Sequence, residues 1–444
     1  MIVMKFGGTS VGDPARIRTV EALVRERLAL RPVVVVSALS KVTDALLETA
    51  RRAVETGRVE TGAIEERHAA VLCALELPPD LVRPELDELR SILLGVALVR
   101  ELTARTQDSI ASYGERMSAR TVAAHLRARG LEATAVPAWD AGIITDSRFG
   151  QARPLAGIEP EVGRRLAAVP GVPVVTGYIA KDAQGHVTTL GRGGSDYTAS
   201  IVGAAVDAEE IQIWTDVDGI LTTDPKVCPK ARVLDEVSFD EASELAYFGA
   251  KVVHPMTMVP AVLRDIPIRV LNTFNPKAPG TVIVRRSTRS REVVKGIALK
   301  KGVRVINLVS ARMLGTHGFI HKMGEVFDRH EVVLDMIATS EVSVSVTTEG
   351  TEAERLEGCL ADLRAIAREV SVESDRTILC VVGDGIRDTP GIAAKAFAAL
   401  GRAGINVLMI SMGATRVNLG IVVDARDAEA GVRALHEEFF ERDG

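Results

Sequence analysis

Ile2-Val3-Met4-Lys5-Phe6-Gly7-Gly8-Thr9-Ser10 begins as an apolar run and breaks into a glycine pair flanked by a lysine and two hydroxyls. Glycine lets the backbone approach closely and take positive φ, so a strand that ends in such a turn offers N–H groups and a cation to an anion. A second segment has the same make-up. Val187-Thr188-Thr189-Leu190 runs into Gly191-Arg192-Gly193-Gly194-Ser195-Asp196, and a helical pattern follows from Tyr197 to Ala205. A helix N-terminus there reinforces anion binding. Either segment alone reads as a turn with a stray charge. The pair, in one shared context, predicts a phosphate site.

Outward from these segments, short apolar runs alternate with amphipathic stretches over the first 285 residues. Val33 to Val36, Val174 to Thr176, Ile211 to Trp214 and Ile266 to Val270 read as buried strands, and Pro14 to Leu30 as a helix. That alternation predicts an α/β domain with a mainly parallel sheet covered by helices. A stretch rich in Pro, Gly and Arg from Asn275 to Glu292 follows, and we place a linker at 286–295. The rhythm then changes. Ile297 to Val309, Val332 to Ile337 and Val342 to Thr347 read as strands, with Gly318 to Arg329 and Glu352 to Ala367 as helices. The order recurs in Ile378 to Val382, Pro390 to Ala403, Ile405 to Ile410, Asn418 to Val423 and Ala428 to Phe440, an internal repeat of small βαββα(β) units. The expected domains are therefore 1–285, 296–372 and 373–444.

A chain of 444 residues with 47% hydrophobic and 25% charged residues is long enough for two or three globular domains. Its net charge of −5 gives no general attraction for nucleic acid or anionic membrane, and no apolar stretch is long enough to span a bilayer. Cys73, Cys228, Cys359 and Cys380 are widely separated and show no CxxC spacing, and the N-terminus enters a strand pattern without a secretory leader. A reducing cytoplasm is expected, with neither a disulfide framework nor a zinc site. No HExxH motif occurs, so any metal is expected to arrive with a substrate.

The chain lacks GxxxxGK[ST], GxGxxG and the HRD and DFG kinase signatures. What remains is two glycine turns with separated lysines, Lys5 and Lys251. Two cations at one centre suit phosphoryl transfer, where charge neutralisation and positioning do most of the work. A carboxylate acceptor is ionised near pH 7 and needs no general base, but it repels the phosphate it attacks. Lys5 is placed to separate the two anions.

Six blocks carry a resemblance. Lys5-Phe6-Gly7-Gly8-Thr9-Ser10-Val11, Ser112-Tyr113-Gly114-Glu115-Arg116, Thr189 to Asp196, Trp214-Thr215-Asp216-Val217-Asp218-Gly219, Phe248-Gly249-Ala250-Lys251 and His254-Pro255 resemble, in order, the aspartate kinases. The C-terminal repeat is similar to that family's paired ACT domains. The resemblance implies an amino-acid-kinase three-layer sandwich with a mainly parallel sheet, followed by two ferredoxin-like βαββαβ ACT domains. It implies phosphorylation of the L-aspartate side-chain carboxylate by ATP with Mg²⁺, in a monofunctional, cytoplasmic homodimer or homotetramer joined through the ACT domains.

Carried over residue by residue, the resemblance gives Lys5, Asp196 and Lys251 catalytic roles. Gly7, Gly8 and Ser10 line the phosphate cradle. Ser37, Thr43, Glu115, Arg192, Gly193 and Ser195 form the amino-acid pocket, Glu115 meeting the α-ammonium and Arg192 the α-carboxylate. Thr215, Asp216, Lys226 and Lys251 face the nucleotide. Leu221 stands where an aromatic residue is frequent, and Lys226 where arginine also occurs. Met313, Gly318, Phe319, Asp335, Thr339, Ser340 and Glu341 resemble the effector site of lysine-inhibited members, with Asp335 facing the effector ε-ammonium. Two other readings stay open: another amino-acid kinase, of the glutamate or acetylglutamate type, and a catalytically silent ACT sensor of amino acids.

Overall fold

A computed structural model describes residues 1–249, 253–287, 293–310, 317–413 and 416–442. They fall into two compact units. One comprises Met1–Ile220, Asp235–Phe239 and Val252–Ser287, the other Leu221–Leu234, Asp240–Lys251 and Thr288–Gly444. Residues 221–234 and 240–251, read from sequence as part of 1–285, thus group with the C-terminal chain. No described helix is long and apolar enough to cross a membrane.

The first unit is built on an eight-stranded sheet in the order Ala133–Val136, Val172–Thr176, Pro32–Val36, Ile2–Phe6, Glu210–Thr215, Ile268–Asn272, Thr281–Val284, Glu236–Ser238. Every pairing is parallel except that of Ile268–Asn272 with Thr281–Val284. Ile2–Phe6, Pro32–Val36 and Val172–Thr176 are buried at every residue, which explains their unbroken apolar runs: both sheet faces are covered. On one face Met4, Phe6 and Trp214 share a core with Ile17, Leu46, Leu89 and Ile110 of the flanking helices. The sequence places a strand at Ile266 to Val270, but pairing begins at Ile268 because the Ile266 N–H still closes the preceding helix on the Ala261 carbonyl. The helix over Pro14–Glu26 starts where sequence predicts, with Asp13 accepting the Arg16 N–H and Pro14 in the first turn.

The second unit holds a six-stranded antiparallel sheet, in the order Ile337–Thr339, Ser343–Thr348, Gly296–Val309, Glu369–Val382, Asn418–Asp424, Met409–Ser411. Its two central strands are 14 residues each and their register shifts between Lys300 and Val305. Beyond the shift, Ile306 and Leu308 pack with Met323, Phe327, Val344 and Leu363. Before it, Val294 and Ile297 pack with Leu379, Leu400, Ile421 and Leu435. The repeat seen in sequence is therefore present, and its members share strands. The second copy runs from the end of Glu369–Val382 through Ile392–Arg402, Met409–Ser411, Asn418–Asp424 and Ala428–His436, and its sixth element, the fourth strand, is Gly296–Lys300, which precedes the first copy.

Both copies open their first helix from a left-handed glycine, Gly318 at φ 86° and Gly391 at φ 92°. Two expected strands are short. Val332 to Met336 lies outside the strand Ile337–Thr339 because Val332 terminates the helix before it, its N–H bonded to the Phe327 carbonyl, although Asp335 and Met336 already exchange backbone bonds with Thr347. Ile405 likewise closes on the Leu400 carbonyl, so only Met409–Ser411 pairs.

Candidate active site

Four parallel strands end at one edge of the first unit's sheet, and their carboxyl ends deliver Lys5 and Gly7, Ser37, Thr176 and Thr215 side by side. Ligands in open α/β sheets bind at this edge. Two adjoining cavities of about 280 and 420 Å³ open here and share Ser37, Thr43 and Glu115 in their walls. Lys5, Gly193, Ser195 and Asp196 line the smaller; Gly8, Thr215 and Asp216 line the larger.

The Lys5 ammonium lies 2.6 Å from the Asp196 carboxylate, and both side chains are nearly buried. The two glycine segments, some 190 residues apart in sequence, thus meet through their charged residues. Ser37 Oγ donates to Ser195 Oγ at 2.9 Å. Asp196 sits in the first turn of the helix Gly194–Ala205, which begins from Gly193 at φ 68° with no side chain capping it. An uncapped N-terminus leaves its positive dipole end directed to the cavity that Gly193, Ser195 and Asp196 line.

Close approach accounts for the other glycines. A Cβ on Gly8 would lie 3.0 Å from the Ala38 carbonyl oxygen, and one on Gly194 2.6 Å from the Tyr178 ring. Gly7 has a different constraint: its N–H is already donated to the Trp214 carbonyl at 3.2 Å. Ser10 is fully buried, its hydroxyl engaged by the Trp214 carbonyl and by Thr273 Oγ1 at 2.7 Å. It ties two strand ends together and lies in the wall of neither cavity.

Glu115 projects from the 25-residue helix Ala104–Ala128. One carboxylate oxygen accepts the Ala38 N–H at 3.1 Å; the other is buried with no hydrogen-bond partner. Burial without a countercharge pushes this carboxyl up to about 8, against which the Ala38 bond is a smaller effect. Seven residues earlier on the same helical face, Asp108 accepts from the Gly150 N–H and from both the N–H and hydroxyl of Thr189, at 2.8–2.9 Å. It anchors the run that leads into the second glycine turn. Nothing in the sequence marks Asp108, because its partner lies 81 residues away. Tyr178, Lys41 and Asp44 also line the cavities and carry no motif.

Other expected residues fall elsewhere. Arg192 is exposed at the turn and is part of neither cavity wall. Thr215 Oγ1 donates to Asp216 Oδ1 at 3.2 Å at the rim of the larger cavity. Lys226 is exposed and belongs to the second unit, while Lys251 lies outside the described residues.

Among the expected effector residues, Met313 also lies outside the described residues. Gly318 and Phe319 open the helix Phe319–Arg329, and Thr339, Ser340 and Glu341 form an exposed turn closed by Ser340 and Ser343. Asp335 is different. One of its oxygens takes the Lys300 ammonium at 2.7 Å and the Tyr247 hydroxyl, in a pair whose side chains are 8% and 2% exposed. The other oxygen is buried without a hydrogen-bond partner. Burial and the bond to Asp335 hold the Tyr247 hydroxyl well above its ordinary range.

Residues 1–272 match the amino acid kinase family and residues 379–439 match the ACT domain. Aspartokinase 1, chloroplastic, of Arabidopsis thaliana is 39% identical over 99% of this chain and 80% of its own length. The crystal structure of E. coli aspartokinase III in complex with aspartate and ADP, in the R-state, superimposes with a TM-score of 0.82 at 32% identity, covering 99% of this chain and all of that one. The T-state structure of the same enzyme, with lysine and aspartate, gives 0.77 at 33% identity and 99% coverage of both chains. Sequence match over the whole length, the folds of both units and the glycine turns that meet at the sheet edge agree: the chain belongs to the aspartokinases, a branch of the amino acid kinase family that carries ACT domains.

Proposed function

We propose that this chain transfers the γ-phosphoryl group of ATP to the side-chain carboxylate of L-aspartate, giving 4-phospho-L-aspartate and ADP, the first step towards lysine, threonine and methionine. The observation that carries this reading is the Lys5–Asp196 pair, set in a cavity whose wall also holds Glu115. The E. coli neighbour of the same fold binds aspartate and ADP.

The acceptor carboxylate arrives ionised, so the barrier is repulsion between two anions rather than a missing base. Asp196 fixes the Lys5 ammonium, which lies between carboxylate and phosphoryl group and neutralises charge as it moves. The open N-terminus of Gly194–Ala205 adds a second positive pole on the same side. Glu115 offers its unpartnered oxygen to the substrate α-ammonium, while Arg192, exposed at the turn, supplies a bidentate fork for the α-carboxylate. Ser37, Thr43, Gly193 and Ser195 shape the pocket between them. Gly7 and Gly8 leave room for the phosphates, and Ser10 holds that turn in place. Thr215 and Asp216 face the nucleoside at the strand end; Lys226 and Lys251 act on its phosphates.

Mg²⁺ is a hard cation that takes one or two carboxylates with phosphate oxygens and water. Among the described residues, the one carboxylate in the wall of the smaller cavity besides Glu115 is Asp196, already joined to Lys5, which fits a metal held mainly by the nucleotide's own phosphates with Asp196 beside it. Bound there, the metal would neutralise phosphate charge.

Regulation by L-lysine rests on Asp335. Its unpartnered oxygen can take a second ammonium, that of the effector, with Met313, Gly318, Phe319, Thr339, Ser340 and Glu341 around the effector backbone. Apolar side chains exposed on the sheet's outermost strands, Ile337 and Ile410, favour a homo-oligomer built through this unit. Four free cysteines suit a reducing compartment such as the cytoplasm.

A coupled ADP-release assay with L-aspartate, scanned across lysine, threonine and methionine, tests the whole reading. Turnover with aspartate and inhibition by lysine are expected. Turnover with glutamate or acetylglutamate instead would move the substrate, and lysine binding without any ATP turnover would make the chain a sensor.

A further inference from the structure

Cys228 lies some two hundred residues before His436 and Glu441, yet the three converge in the second unit, their ligand atoms all within 4.8 Å of one another. His436 Nδ1 is 3.5 Å from Cys228 Sγ and 2.9 Å from Glu441 Oε1, and the sulfur is 4.0 Å from that oxygen. A tetrahedral zinc ion with ordinary bond lengths would separate its sulfur and nitrogen ligands by ~3.6 Å, nitrogen and oxygen by ~3.3 Å, and sulfur and oxygen by ~3.5 Å. The three atoms already stand within about half an ångström of those edges.

The surroundings suit a metal as well. His436 and Cys228 are buried and Glu441 half-buried, so two of the three ligands are out of bulk water. The other imidazole nitrogen, Nε2, is 3.0 Å from the Thr222 hydroxyl, whose oxygen also accepts the Arg232 N–H. A metal-binding histidine characteristically has its second nitrogen fixed in this way. Glu441 reserves its second oxygen for Lys230. Residues five apart on an α-helix point roughly 140° from each other. Here His436 and Glu441 share a face because Glu437–Glu441 winds as a π-helical turn, closed by the Arg442 N–H on the Glu437 carbonyl at 3.0 Å. A hydrogen-bonded triad, with Nδ1–H and the Cys228 thiol both donating to Glu441 Oε1, satisfies the same atoms and is the alternative that metal titration decides against.

We infer that Cys228, His436 and Glu441 form a binding site for a divalent transition metal of zinc type. Binding takes the thiol proton to solvent and leaves thiolate, neutral imidazole and carboxylate around the dication, a set with no net charge. The ion joins the segment Leu221–Leu234 to the C-terminal helix, both within the second unit. The assignment does not depend on the aspartate reading.

Full-length protein stripped with a chelator and titrated with Co²⁺ tests it. One equivalent is expected to bind, with a saturable sulfur-to-cobalt charge-transfer band and the intense visible bands of a four-coordinate ion, both displaced by Zn²⁺. Cys228→Ser and His436→Gln should each abolish the charge-transfer band, and Cys73→Ser, at an exposed cysteine, should leave it intact. X-ray absorption of zinc-loaded wild type needs no variant to fold and should show one sulfur at about 2.3 Å. No saturable band, a band that survives Cys228→Ser, or a zinc shell of nitrogen and oxygen alone would overturn the site and leave a hydrogen-bonded triad only.

Discussion

At the scale of single residues, the chemistry turns on how burial has set Glu115. Its unfolded carboxyl titrates near the ordinary 4.5 and the folded one near 8, so between those values the folded chain holds a proton that the unfolded chain has lost. Stability without substrate should therefore fall as pH rises through that window. If the α-ammonium of aspartate meets Glu115, the carboxyl must ionise on binding. At neutral pH, aspartate binding should release close to one proton, measured by calorimetry in buffers of different ionisation enthalpy; Glu115→Gln should abolish the release and weaken binding. An unchanged proton count would remove Glu115 from the substrate site. Lys5→Ala has a different expected signature. It should lower kcat by about 10²–10³-fold, the order seen when one preorganised charge donor is lost, with little change in the KM for aspartate. A raised KM at constant kcat would make Lys5 a binding residue only.

Elements position those residues, and two of them carry predictions. Gly177 follows the strand Val172–Thr176, and a Cβ there would sit 2.6 Å from both Cβ and Oγ of Ser195. Gly177→Ala should push the second glycine turn out of place and reduce kcat by about a hundredfold with little loss of thermal stability, because misplacement by an ångström is costly to catalysis. His68, on the helix Gly62–Ala74, is buried with neither ring nitrogen bonded, and burial, then Arg67, lowers it to about 4. Unfolded histidine takes its proton below about 6.5, the folded one only near 4, so acid destabilises the chain across that interval. His68→Leu should flatten the decline of Tm between those pH values, and an unchanged slope would show that the imidazole is not its source. Sequence was informative at this scale where local patterning decides the outcome. The helix read from Pro14 begins there, and apolar runs such as Val33 to Val36 are strands covered on both faces. It was less informative where a bond from outside the pattern intervened, as at Ile266, Val332 and Ile405, each taken by the helix preceding it.

At the scale of the whole molecule, sequence reveals two copies of a small unit but not how they share strands, since strand pairing depends on contacts between distant residues. The same holds for the candidate site. The glycine turns and Glu115 were legible through motif and family resemblance, whereas Asp108 and the Cys228, His436 and Glu441 cluster depend on contacts across 81 and 208 residues. The buried Lys300–Asp335 pair yields another prediction at this scale. Lys300→Met leaves the buried Asp335 carboxylate with the Tyr247 hydroxyl but without its cation and should cost about 3–5 kcal/mol in denaturant unfolding. A loss below 1 kcal/mol would mean that the pair is open to water in solution.

Gly296–Lys300 completes the second sheet although it is synthesised before the first copy begins. Seen along the chain, one ACT copy is nested inside the other, as a phrase in parentheses sits inside a sentence. Neither can be excised by a single cut, and damage at the seam should surface at the far end. Ile297→Ala is accordingly expected to accelerate amide hydrogen exchange at Leu379, Val381 and Ile421, some eighty or more residues downstream, while Val344 and Val346 of the nested copy stay protected.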